Sequence, residues 1–127
     1  LKYIKKILKK LSEDHVTSKT PTIVFARDPK CNLNEFKLDD LSCYGMFTSV
    51  DPSSAIKVFE GSHALQGNLD PKILLEEDSV IKESALKMLS EFKDFPGYIF
   101  NLGHGITPDI NPDKVKILVE AIRESGS

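Results

Sequence analysis

Apolar positions along the chain follow two spacings, one suited to helices and one to buried strands. Leu1, Ile4, Leu8 and Leu11, with Ile7 beside them, recur at three- and four-residue intervals, while Lys2, Lys5, Lys6, Lys9 and Lys10 fill the other positions. This predicts an amphipathic opening helix whose lysines form a solvated face. Residues 21–26 are too few for a helix, are rich in β-branched and aromatic side chains, and predict a fully buried strand. The polar Arg27-Asp28-Pro29 follows, and residues 32–41 offer a short helix with Leu33, Phe36 and Leu38 or Leu41 inward.

The same succession of strand, polar loop and helix recurs three more times. Residues 44–50 form the second strand, and Asp51-Pro52 starts a helix through Ile56 and Phe59, with the acid as cap and proline in the first turn. Residues 64–68 are a third, weaker strand. The helix over residues 78–92 places Ile81, Ala85, Met88, Leu89 and Phe92 on one face. Residues 98–102 form the fourth strand, and Asn111-Pro112 caps a last helix with a stripe of Val115, Leu118, Val119 and Ile122. Strands alternating with helices predict an α/β fold with a parallel sheet, because each crossover returns the chain to the same end. A (β/α)8 barrel takes about 250 residues, so four units are half of one.

Composition changes this picture little. The 127 residues, 40% hydrophobic and 28% charged, fit one compact globular domain. A net charge of −2 gives no nucleic-acid footprint. No apolar run approaches the roughly 20 residues of a membrane helix, so neither nucleic acid nor membrane is expected as a partner. Cys31 and Cys43 lack the spacing of a zinc site and are expected to be free thiols. The chain starts at Leu1 rather than methionine, so a missing leader says little about compartment; the cytoplasm is expected, with a plastid or another organelle open.

Candidate chemistry gathers where the strands end. Arg27-Asp28, Ser49 to Asp51, Gln66-Asn68-Asp70 and Asn101 to His104 all lie at or just past carboxyl ends of strands, where parallel α/β folds bind ligands. His104 stands between Gly103 and Gly105, where the backbone can turn sharply and approach a ligand. It is the candidate catalytic residue, and Arg27, Asp28, Gln66, Asn68 and Asn101 are the candidate substrate-binding set. Four of these have a structural counter-reading, Arg27 and Asp28 as a rim salt bridge and Gln66 and Asn68 as ties of a strand end, and nearby Asp70 reads as a helix cap. His15 and His63 read as incidental.

Three ordered blocks then resemble one family. Residues 21–28, Pro-Thr-Ile-Val-Phe-Ala-Arg-Asp, residues 63–71 with Leu65-Gln66-Gly67-Asn68-Leu69-Asp70-Pro71, and residues 98–109 with Asn101-Leu102-Gly103-His104-Gly105 resemble the uroporphyrinogen decarboxylases. The resemblance implies that residues 1–127 are the C-terminal half-barrel of a TIM-type (β/α)8 domain, as a homodimer or with an N-terminal half-barrel as partner. It further implies that uroporphyrinogen is the substrate, that its acetate side chains become methyl groups, and that no metal or organic cofactor takes part. The family's arginine-rich signature, substrate-binding aspartate and active-site tyrosine have no counterpart here, so the 127 residues alone are expected to be inactive. Where the family commonly has Gly-Leu-Asp-Trp-Thr, this chain has Gly45-Met46-Phe47-Thr48-Ser49, with Phe47 and Thr48 replacing the acid and the tryptophan.

The chemistry implied needs a proton delivered to a pyrrole carbon, stabilisation of an electron-deficient ring, and cationic groups for many carboxylates. The role assigned to His104 is donation to a substrate carboxylate, or its positioning. Two other functions compete. A superfamily methyltransferase would need zinc-ligating cysteines, and Phe25-Ala26-Arg27-Asp28 and Asn101-Leu102-Gly103-His104 hold no sulfur. A non-catalytic assembly module would use the open sheet edges of a half-barrel to associate.

Overall fold

The structure, a computed structural model, describes residues 1–30 and 32–126. Helix α1 (Lys2–Glu13) leads into β1 (Ile23–Phe25), β2 (Cys43–Gly45), α2 (Pro52–Phe59), β3 (Ala64–Gln66), α3 (Asp78–Glu91), β4 (Tyr98–Ile99) and α4 (Pro112–Ser125). All strand pairs are parallel, and the spatial order β1-β2-β3-β4 repeats the chain order. A doubly wound sheet reverses its order at a switch point, whereas a barrel adds each strand beside the last. The sheet is therefore half of a TIM-type barrel, as the alternation predicted.

Register explains how its two faces differ. Val24, Tyr44, Leu65 and Tyr98 lie side by side across the sheet. Tyr44 and Leu65 are fully buried among Leu8 of α1, Ala55 and Phe59 of α2, and Phe92, with Val24 and Tyr98 packed against them. Because successive side chains alternate, Phe25, Gly45, Gln66 and Ile99 form the next row and face the other side. That side is uncovered: Ile23 is 50% exposed, Phe25 47% and Ile99 43%. The strand over residues 21–26 is thus not fully buried as expected. β1 is an edge strand with only its Val24 side packed, and its apolar composition belongs to a barrel interior. A second cluster, Leu69, Leu74, Ile81, Ala85, Ile110, Leu118 and Ala121, joins α3 to α4.

Several elements are shorter than their apolar runs. Residues 32–41 yield only a 3-10 turn, Leu33–Phe36, opened by Asn32, whose side chain accepts from Asn34 N–H at 2.9 Å while Glu35 reaches back to Asn32 N–H at 3.2 Å. Phe36 and Leu41 are nonetheless buried, so the inward positions hold without the helix. In α4 the inner stripe contains Ala121 rather than Val119, which is 38% exposed. The caps match expectation. Asp51 Oδ2 accepts from Ser54 N–H at 2.9 Å, Asp70 Oδ1 from Lys72 N–H at 2.9 Å, and Asn111 Oδ1 from Asp113 N–H at 3.0 Å. Asp70 opens a further 3-10 turn, Pro71–Leu75.

Cys43 is a buried free thiol, and burial pushes its pKa up. Cys31 lies outside the described residues. His63 is a tie within the fold: Nε2 lies 2.8 Å from the Leu38 carbonyl and Nδ1 lies 2.9 Å from Ser62 Oγ. Among the described residues no helix is long and apolar enough to cross a membrane.

Candidate active site

Pairing continues past the ends of β3 and β4 and carries the candidate residues with it. Leu69 N–H donates to Asn101 O at 3.2 Å, and Gly103 N–H donates to Leu69 O at 2.8 Å. Inside this extension Gly67, at φ +113, has the Met46 carbonyl only 2.8 Å from where a Cβ would sit, so only glycine lets the two backbones meet. The Tyr98 hydroxyl donates to Gly67 O at 2.6 Å and its ring stacks on Phe92 at 4.0 Å. Burial, with Glu91 nearby, raises the Tyr98 pKa, so the phenol stays protonated as a donor.

A cleft of about 270 Å³ opens at this end of the strands, lined by Phe25, Gly45, Gln66, Asn101, His104 and Gly105 among others. Gln66, Asn101 and His104 therefore come together as the loop placement predicted. Asn101 Oδ1 accepts from Leu102 N–H at 2.8 Å, which leaves its NH2 as a donor toward a ligand. The Gln66 carboxamide forms no side-chain hydrogen bond among the described residues and offers both a donor and an acceptor.

His104 is held by its own loop. Nδ1 lies 2.9 Å from the Gly105 carbonyl, which can only accept, so Nδ1 carries a proton in either charge state. Nε2 is left for a ligand. In the neutral ring it is an acceptor, and only the imidazolium presents an Nε2–H to a carboxylate, where the bond is charge-assisted. The Phe47 ring lies beside the imidazole, with centroids 5.6 Å apart at an interplanar angle of 32°.

The other candidates fall elsewhere. Asn68, 4% exposed, does not line this cleft. Its Nδ2 donates to Phe47 O at 2.9 Å and to Val50 O at 2.7 Å, so it ties down the loop after β2. β2 ends at Gly45, short of the expected residue 50, with Met46 N–H still donating to Gln66 O at 2.8 Å. Arg27 and Asp28 are exposed beyond β1, lie outside the cleft lining, and form no salt bridge with each other, so the expected rim pair is absent. Asp28 has a positive φ of 44°, a turn conformation that aspartate tolerates better than most residues.

Two contacts at the site had no forecast. Gly103 packs on Thr48, with a Cβ there colliding with Thr48 Oγ1 and lying 2.6 Å from Thr48 N. Phe47 lies on His104. In the sequence Phe47 and Thr48 stood out only as departures from a family pattern. Among the described residues no three His, Cys, Asp or Glu side chains gather to hold a metal ion.

Comparison with known proteins agrees with this fold. Residues 1–125 match the family described as uroporphyrinogen decarboxylase. Uroporphyrinogen decarboxylases of Chlorobium chlorochromatii and Chloroherpeton thalassium are 38% and 37% identical over 100% and 99% of this chain, each covered over 36% of its own length. That of Alcanivorax borkumensis is 33% identical over 98% of this chain and 35% of its own. The chain thus spans about a third of the length of these relatives. A solved methyltransferase from Methanosarcina mazei superposes with a TM-score of 0.69 over 95% of this chain and 36% of its own, at 18% identity, a likeness of fold. The half-barrel, its His104 cleft and these matches together place the chain in the uroporphyrinogen decarboxylase family.

Proposed function

We propose that this chain supplies part of the active site of a uroporphyrinogen decarboxylase, a carboxy-lyase of tetrapyrrole and haem biosynthesis. In the overall change, each acetate side chain of uroporphyrinogen loses CO2, takes up one proton and becomes a methyl group, until coproporphyrinogen results. The observation that carries this reading is the convergence of Gln66, Asn101 and His104 on one cleft, with Nε2 of His104 making no hydrogen bond among the described residues. When its ring carries both protons, His104 holds a substrate carboxylate through Nε2–H, and the amides of Asn101 and Gln66 orient neighbouring polar groups. Protonation of a pyrrole carbon and binding of the other carboxylates need further cationic groups. These come with four further (β/α) units, which would also cover Ile23, Phe25 and Ile99; the working enzyme is a homodimer.

The test is a chimera in which this chain replaces the matching third of the Chloroherpeton thalassium enzyme. His104→Asn in that chimera lowers kcat/KM about 10- to 100-fold, mostly through KM, as expected for losing one charge-assisted hydrogen bond. Unchanged kinetics would remove His104 from the site. The 127-residue chain by itself forms no coproporphyrinogen; detectable product from pure material would contradict this.

A further inference from the structure

The loop after β2 touches the His104 loop twice, through Thr48 on Gly103 and Phe47 on His104, and a buried amide anchors it from below. We propose that Phe47 is a positioning residue for His104, itself fixed by Asn68. The inference rests on His104 as the carboxylate-binding group of the cleft and adds how its ring is aimed.

An imidazole on a glycine-flanked loop has two side-chain torsions to lose, and a single Nδ1–H bond to Gly105 O leaves the ring free to swing about it. A second constraint is needed to aim Nε2. Phe47 provides it, with its ring centroid 5.6 Å from that of the imidazole and 6.3 Å from that of Phe25. Phe25 lines the cleft as His104 does, so Phe47 serves as an aromatic ledge in contact with both.

A ledge on a loose loop would aim nothing. Asn68 removes that freedom, because its one NH2 group holds two carbonyls of the loop, those of Phe47 and Val50, from a site that is 4% exposed. Buried amides bonded in this way are costly to remove: the Val50 carbonyl would lose its donor and the Phe47 carbonyl would keep only the Val50 N–H at 2.9 Å. Asn68 thereby acts on His104 through Phe47, without touching substrate.

The test reads the imidazole directly, by long-range 1H–15N NMR of the 127-residue chain with neutral histidines. His104 is expected to show one tautomer, protonated at Nδ1, with ring protons shifted upfield by Phe47; exposed His15 is the internal reference. Phe47→Leu removes most of that upfield shift and yields a tautomer mixture, whereas Phe47→Tyr retains both signatures. Asn68→Asp, which has no N–H for the two carbonyls, displaces the same His104 signals with Phe47 still in place. Phe47→Met serves if Phe47→Leu fails to give a dispersed spectrum, by the same criteria. His104 signals unmoved in the Leu or Met variant, or lost equally in the Tyr variant, would overturn the role of Phe47. Unmoved signals in Asn68→Asp would overturn that of Asn68. If the shifts appear as described while His104→Asn leaves both kcat and KM unchanged in the chimera, the functional reading fails and the positioning stands.

Discussion

Gly103 has no room for even a methyl group. A Cβ there would sit 2.6 Å from Thr48 N and 2.7 Å from Thr48 Cα, both backbone atoms that cannot rotate away. Gly103→Ala is therefore expected to destabilise the chain by about 2 kcal/mol, the range for overpacking a tight contact, as measured by urea denaturation. Asn68→Ala should cost about 2 kcal/mol by the same measurement, since the Val50 carbonyl loses its donor and the Phe47 carbonyl keeps only the Val50 N–H. An effect within 0.5 kcal/mol of wild type in either variant would mean that the loop has another anchor. The sequence revealed His104 through purely local features, two flanking glycines at the end of an apolar run. It could not reveal Asn68 as an anchor, because its partners lie 21 and 18 residues away and meet it only once β2 and β3 are paired.

Elements were legible where one residue type decides a boundary. Asp51, Asp70 and Asn111 each precede a proline and each cap the turn that follows, because a short polar acceptor satisfies N–H groups the turn itself leaves open. Asn111→Ala should lower stability by about 1 kcal/mol, detectable as a fall in Tm. At Asp51 the Ser54 hydroxyl, the Ser53 hydroxyl and the Ser54 N–H hold the carboxyl below the usual aspartate range. A pKa depressed in the folded state gives stability that is complete above the unfolded value, about 3.9, and is lost as pH falls through the lower folded value. Asp51→Asn should therefore flatten part of the acid limb of stability below about pH 4, and an unaltered limb would contradict the cap's role. The failed boundaries were set by distant groups. Residues 32–41 carry helix-like spacing, yet burial of Phe36 and Leu41 is achieved by a 3-10 turn followed by a tight turn closed by Leu41 N–H to Leu38 O at 2.9 Å. Val119 and Ala121 exchange faces because α4 packs on α3, and a small side chain suits that close contact.

At the scale of the molecule, order and exposure speak together. Four parallel strands in chain order, helices packed on one row of side chains, and a second row of Ile23, Phe25 and Ile99 left open are the marks of half a barrel. The alternation of strands and helices made this readable, since each unit predicts its neighbour. The openness of β1 was not readable, because a strand facing a barrel interior has the same apolar composition as one buried on both sides. Family membership then makes the cleft at the carboxyl ends the expected seat of chemistry. The most direct test of that account is product formation by the chimera carrying this chain in place of the matching third of the Chloroherpeton thalassium enzyme. The account predicts coproporphyrinogen from uroporphyrinogen; a folded chimera that binds uroporphyrinogen and releases no CO2 would contradict it.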